Sequence, residues 1–211
     1  MKILLVAATL PEIEPFHLRY PGAGELNGVA IGKHRVELLV SGAGMVATAY
    51  ALGRHLQNPY DLAINAGIAG SFDFNLPPGE VCIVREDTFA EFGAEDGDDF
   101  LSAGQLGLGT DTFSSCPPAN FSIPGLKEVN AITVNKVHGN EFSIAKAIAR
   151  FNPQIESMEG AAFFYACASA GIPCIQIRAI SNFVERRNRE SWNIPLAVGK
   201  LNETIIKLLE Q

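Results

Sequence analysis

Residues 174–187 read "CIQIRAISNFVERR". An apolar run of strand length, Cys174–Ile180, turns abruptly into polar and charged residues, with Asn182 at the turn. Such a run, preceded by the stop signal Gly171-Ile172-Pro173 and followed by charge, reads as a buried strand. Comparable runs occur at Lys2–Ala8, Val29–Ile31, Arg35–Val40, Leu62–Asn65, Glu80–Val84, Ala131–Val134 and Ile155–Ser157. Helical patterns fit Gly44–Gln57, Glu141–Arg150 (with Asn140 as N-cap), Gly160–Ala170 and Ile194–Leu209. The alternation predicts an α/β fold: one domain over residues 1–211, with a central mixed, mostly parallel sheet flanked by helices. Only the stretch from Thr88 to Asn120 breaks it, carrying Gly, Asp, Phe and Ser with no steady period. An irregular segment of that length usually contributes to function or to an interface.

The 211 residues are 47% hydrophobic, enough for one large core. Sixteen Lys+Arg stand against 23 Asp+Glu, a formal net charge of −7, which argues against nucleic acid as a partner and for a small molecule. Cys82, Cys116, Cys167 and Cys174 form no C-x-x-C pair and read as buried free thiols in a reducing compartment. The four histidines are scattered, so neither a metal nor another cofactor is expected. "MKILLVAATLPEIEP" has the flavour of a signal peptide, but its apolar run ends at Leu10 without a small-residue cleavage site. It reads better as a first strand. No run is long enough to span a bilayer, and a cytoplasmic protein is expected.

In open α/β sheets ligands bind beyond the carboxyl ends of the strands, so the residues that follow each strand matter most. "SGAGMVA" (Ser41–Ala47) matches the G-x-G-x-x-A dinucleotide fingerprint, with Asp61 downstream. Asp61, however, stands at the start of its strand, at the wrong edge of the sheet to reach a ribose. "NAGIAGSF" (Asn65–Phe72) offers Gly67 and Gly70, either for close backbone approach to a ligand or for a plain turn. In "ESMEGAAFFYACASAG" (Glu156–Gly171), Glu159 opens a helix, either as a dipole partner or as a functional carboxylate that Gly160, Ala161 and Ala162 leave approachable.

Taken in order, "MKILLVAAT" with Glu12, "SGAGMVATAYA", "INAGIAG" with "PPGEVCIV", "ESMEGAA" and "IRAISN" resemble the purine nucleoside phosphorylase/nucleosidase superfamily over nearly the whole chain. "DTFAEFGAE", "TVNKVHG" and "ISNFVERR" followed by "WNIPLAVGKLN" are most similar to its futalosine hydrolase branch, with the methylthioadenosine/adenosylhomocysteine nucleosidases next. The resemblance implies an N-ribosyl hydrolase of the menaquinone route that releases hypoxanthine from a purine nucleoside, acting as a homodimer or larger homo-oligomer. It implies Glu12 and Asn182 as catalytic residues, Glu12 activating water in preference to its neighbour Glu14. Gly67, Ile68, Val137, Met158, Glu159 and Trp192 become substrate-binding residues, with Glu159 on the ribose hydroxyls and Met158 beneath the sugar. Ile68 stands where phosphorylases often keep a hydroxyl residue, which favours hydrolysis over phosphorolysis. The alternatives are another purine nucleosidase, a phosphorylase or, more remotely, a dinucleotide-dependent oxidoreductase.

Asn182 stands where the resemblance puts an aspartate in adenine-specific relatives. An amide offers a donor to the O6 of a 6-oxopurine and an acceptor to a protonated N7; an ionised carboxylate offers no donor. Without the resemblance, Asn182 would be only a turn cap before Val184. For a carboxylated aromatic group at the 5′ end, Phe89, Phe92 and Trp192 are candidate walls, and Arg85, Arg186, Arg187 and His138 are candidate partners.

Overall fold

The structure, a computed structural model, describes every residue except 26, 122 and 124. The first strand, β1 (Lys2–Ala7), is buried on both faces: Ile3, Leu5 and Ala7 enter one core, Leu4 and Val6 the other. Double burial explains why its sequence is a continuous apolar run and not an alternation. Then come α1 (Leu10–Arg19), β2 (Val29–Ile31), β3 (His34–Val40), α2 (Met45–His55), β4 (Leu62–Ser71) and β5 (Val81–Phe89). The short strands β6 (Gly93–Asp96), β7 (Asp99–Ser102) and β8 (Thr112–Ser114) precede β9 (Lys127–Thr133), α3 (Glu141–Phe151) and β10 (Ile155–Ser157). The chain closes with α4 (Gly160–Ala170), β11 (Cys174–Phe183) and α5 (Ile194–Leu209).

The main sheet runs β10-β9-β5-β11-β4-β1-β3-β2, with β8 added against β5. It is mixed, as expected: β3, β1, β4 and β11 are parallel neighbours, while β5 lies antiparallel to β11. α1 and α5 cover one face through Ile13, Phe16, Leu201 and Ile205; α2 and α4 cover the other through Leu52, Phe163, Phe164 and Cys167. β4 pairs with β1 only as far as Val6 opposite Asn65. Its far half runs on, and Gly70 and Ser71 pair antiparallel with Glu156 and Ile155 of β10. The sheet thus curls back on itself, leaving a crevice between the end of β1 and the far half of β4.

Several expectations need correction. β4 does not end at Asn65: "AGIAGS" continues the strand, since glycine in a strand marks close approach of other groups as readily as a turn. β5 reaches Phe89, β9 begins at Lys127, and β11 extends through Asn182 to Phe183, past a bulge at Ser181 where the register against Ala69 and Gly70 shifts. The supposedly irregular segment contains the β6–β7 hairpin and β8. Cys116 is exposed, whereas Cys82, Cys167 and Cys174 are buried; all four are free.

The helix α1 is absent from the helical patterns read in the sequence, and it carries two prolines. Pro11 lies in the first turn, where a missing N–H costs nothing. Pro15 lies inside, and the buried amide of Asn202 from α5 repairs the ladder beside it. Phe16 N–H donates to Asn202 Oδ1 (3.0 Å), and Asn202 Nδ2 donates to the Glu12 carbonyl (2.9 Å). A side chain thus stands where the 16-to-12 backbone bond belongs.

Candidate active site

A cavity of about 460 Å³ occupies the crevice. Thr9 and Glu12 line it from the β1–α1 junction, Ile68 to Gly70 from β4, and Glu156 to Glu159 from the β10–α4 junction. Ser181 and Asn182 come from the bulged end of β11, and Trp192, Ile194 and Val198 close it from the start of α5.

Glu12 is held in place from two sides. Its Oε2 accepts the backbone N–H (3.0 Å) and hydroxyl (2.8 Å) of Thr9, the carboxylate half of a capping box. Its Oε1 accepts the N–H of Ile68 at 3.2 Å. The cap fixes the rotamer that turns Glu12 toward the cavity.

Glu159 occupies the N-cap position of α4, yet its side chain makes no capping bond. It reaches across instead, Oε1 accepting the N–H of Gly44 (3.0 Å) and Oε2 standing 3.5 Å from Arg178 Nη1. Its side chain therefore serves α2 and Arg178, not the first turn of its own helix. The same contact accounts for "SGAG": the N–H of Gly44, at the start of α2, serves Glu159. Asp61 accepts from the backbone N–H of Lys2 (2.7 Å) at the opposite edge of the sheet, where it cannot serve a nucleotide bound beyond β3.

Arg178 was not singled out from sequence, although it is 1% exposed in the middle of β11. Its Nε donates to Gln176 Oε1 (2.8 Å) and its Nη2 to Asn65 Oδ1. Gln176 in turn donates to Asp87 Oδ2 (2.9 Å), whose other oxygen accepts from Thr133 Oγ1 (2.8 Å). Burial pushes the Asp87 carboxyl up to about 6, against the lowering effect of the Gln176 and Thr133 hydrogen bonds. This chain of polar groups lies behind Glu159 and explains two glycines. A side-chain carbon at Gly67 would stand 2.2 Å from Arg178 Nη1 and 3.2 Å from Glu12 Oε1. One at Gly160 would stand 2.0 Å from Asp87 Oδ2. Gly67 therefore makes room for the guanidinium and does not line the cavity. Gly160 serves the buried network and not an approach from outside. An arginine and an aspartate inside otherwise apolar strands were the available signal.

The other expected residues meet here. Met158, Ile68, Val137 and Trp192 all line the cavity. Asn182 contributes an amide whose Nδ2 donates to the Phe183 carbonyl (2.8 Å) and whose Oδ1 accepts from Ser181 Oγ (2.7 Å). Of the candidate cations, Arg187 lines the cavity and lies 4.9 Å over the Trp192 ring, while His138 is engaged by Glu156. Arg186 borders a separate cleft, and Arg85 is bound to Asn130 on the surface. Phe89 and Phe92 line a neighbouring apolar cleft of about 500 Å³ with Met45 and Tyr165.

Three carboxylates held on fixed donors (Glu12, Glu156 and Glu159), an amide and a mostly apolar lining suit a polar, ring-bearing small molecule. Known proteins resemble this chain along its whole length. The chain is 31% identical to a futalosine hydrolase of Streptomyces coelicolor over 99% of this chain and 95% of that protein. It is 28% identical to a 5′-methylthioadenosine/S-adenosylhomocysteine nucleosidase of Glaesserella parasuis over 99% and 98%. The native structure of futalosine hydrolase of Helicobacter pylori superposes with a TM-score of 0.80 at 18% identity, covering all of this chain and 96% of that one, and so shares the fold. The model of the phosphorylase superfamily matches residues 2–210, and with the motifs of the crevice in the order found here, the chain belongs to that superfamily.

Proposed function

We propose that this protein is an N-ribosyl hydrolase that cleaves futalosine to hypoxanthine and the base-free sugar, a step of menaquinone synthesis. The observation that carries the reading is the placement of Glu12 and Glu159 on one cavity, each anchored from behind, with an amide at position 182. The full-length likeness to a futalosine hydrolase supports it.

Cleavage of an N-ribosidic bond passes through an oxocarbenium-like sugar. Glu159, fixed by Gly44 and Arg178, holds the ribose hydroxyls and favours the positive charge that develops on the ring. Glu12 keeps one oxygen bound to Thr9 and uses the other, beside the Ile68 N–H, to orient and deprotonate water. Met158 lies under the sugar, and Asn182 holds the leaving base through O6 and the protonated N7. Hydrolysis is favoured over phosphorolysis because Arg178 is committed to buried partners. Arg178 lies behind the cavity on Gln176 and Glu159, and among the described residues lining the cavity the one arginine, Arg187, stacks on Trp192 at the end assigned to the 5′ group. There it is the best placed partner for the substrate carboxylate.

We further read residues 1–211 as one cytoplasmic domain that assembles as a homodimer or larger. Val46, Tyr50 and Tyr165, exposed on α2 and α4, with Phe92 lining the same cleft as Val46 and Tyr165, offer an apolar surface for a second copy. The deciding experiment incubates the protein with futalosine, inosine and methylthioadenosine, with and without phosphate, and identifies the released base. Release of hypoxanthine from futalosine without phosphate is expected; a requirement for phosphate, or release of adenine alone, would overturn the reading.

A further inference from the structure

One carboxylate on the cavity wall has no part in the reaction as described. Glu156, the middle residue of β10, is 3% exposed and lines the cavity. Both of its oxygens engage His138: Oε1 accepts the backbone N–H at 3.0 Å, and Oε2 lies 2.5 Å from Nδ1. A carboxylate oxygen has two acceptor sites, so each retains one.

Its position relative to Asn182 is set by the sheet. Gly70 of β4 pairs with Glu156 on one side and with Asn182 on the other. A side-chain carbon at Gly70 would lie 3.4 Å from Asn182 Nδ2 and 3.6 Å from Glu156 Cγ. The same carbon would lie 2.9 Å from Val184 Cγ2, so the glycine makes room for that side chain, with the amide and the carboxylate on either side and both residues lining the cavity.

We propose that Glu156 is a specificity-determining residue that accepts the N1–H of a 6-oxopurine. The proposal rests on the reading of the site as a 6-oxopurine nucleosidase and adds a second contact to the base. Along the edge of such a base the order is N7, O6, N1–H. Asn182 meets the first two, and the acceptor beside it meets the third. A 6-aminopurine has a bare lone pair at N1, which a carboxylate opposes. The His138 N–H, which follows the wall residue Val137 and would suit that lone pair, is already taken by Glu156. His138 is then a positioning residue, whose two donors fix the carboxylate toward the base.

The test compares kcat/KM for futalosine and for its 6-amino counterpart on the wild type and on Glu156→Gln. Gln can turn an N–H donor toward N1, so the 6-oxo preference should fall by at least about tenfold. A second measurement needs no variant: inhibition of the wild type by hypoxanthine and by its 1-deaza counterpart, which has C–H in place of N1–H and the same shape. The deaza base should bind at least about tenfold more weakly. Equal inhibition by the two bases overturns the proposal while leaving the reaction intact, and so does an unchanged preference in a folded variant. Failure of the wild type to release hypoxanthine from any 6-oxo nucleoside overturns the reaction and the proposal together.

Discussion

The backbone carbonyl of Glu12 is held by the side chain of Asn202, 190 residues later in the chain, at 2.9 Å. The same amide receives the N–H of Phe16 at 3.0 Å, so the helix carrying the candidate base is completed by another helix. Replacing Asn202 with Ala leaves a buried carbonyl and a buried N–H without their partners. Stability should fall by about 1–3 kcal/mol, measured by urea unfolding, and activity should fall with it as Glu12 loses its support. Wild-type stability would show that Phe16 and Glu12 bond to each other directly and that the inserted amide is dispensable.

This relationship also shows where the sequence stops being legible. The strands could be read because both faces are buried, which makes runs such as Ile3–Ala7 apolar throughout. α1 could not, because Pro15 breaks the local pattern and the group that compensates is remote. Thr9 with Glu12 three residues later was a capping signal hidden by the prolines. The cavity residues carried by motifs, among them Glu12, Met158, Glu159 and Asn182, do converge. Arg178, Gln176 and Asp87 escaped notice because each looks like an isolated polar residue in a strand. Only the sheet order, β5 beside β11 beside β4, makes them one network.

Glu12→Gln removes the proposed base while preserving size. Its amide can still accept from Ile68, so substrate affinity should change little. kcat should drop by ~10²-fold or more, since a general base acts in the transition state. Steady-state kinetics on futalosine would decide; a near-normal kcat would transfer the role to Glu14 or another residue.

Glu159→Gln should damage both binding and kcat, because in the proposed mechanism the carboxylate holds ribose hydroxyls and stabilises the developing charge. It also leaves the buried Arg178 without its carboxylate, at a cost of roughly 3 kcal/mol or more in unfolding free energy. A 2′-deoxy substrate should react slowly with the wild type yet lose less on mutation. Equal proportional losses on both substrates would confine Glu159 to holding Arg178.

Asp87 gives the fold an unusual dependence on pH. Its carboxyl is raised from 3.8 to about 6, so the folded chain binds this proton more readily than the unfolded chain. The ionised form therefore carries a penalty that is full above the folded value and is relieved as pH falls through the window toward the unfolded one. Relative to Asp87→Asn, which does not titrate, the wild type should gain roughly 2 kcal/mol of stability as pH drops from ~7 to ~4. Urea midpoints of the two proteins across that range, taken as a difference, cancel the other carboxylates. A difference that stays flat would mean that Asp87 is not protonated in the folded chain.

Asn182→Asp tests the base itself. Asn182 is placed at the cavity by the bulge at Ser181, beside Gly70, with its amide fixed by Ser181 and Phe183. O6 of hypoxanthine needs a donor, and an ionised Asp has none. The 6-amino group of adenine needs an acceptor, and Asp supplies one that can also pass a proton to N7 when burial raises its pKa. One mispaired buried hydrogen bond is worth ~1–3 kcal/mol, so the ratio of kcat/KM for futalosine to that for aminodeoxyfutalosine should fall at least ~10-fold. The two substrates share their sugar and 5′ group, so effects on ribose binding, water activation and overall stability divide out of the ratio. That leaves the edge of the purine as the cause of any change. A ratio that survives the mutation would mean that Asn182 only stitches the strand end to Phe183, and the preference for a 6-oxo base would have to come from elsewhere on the wall.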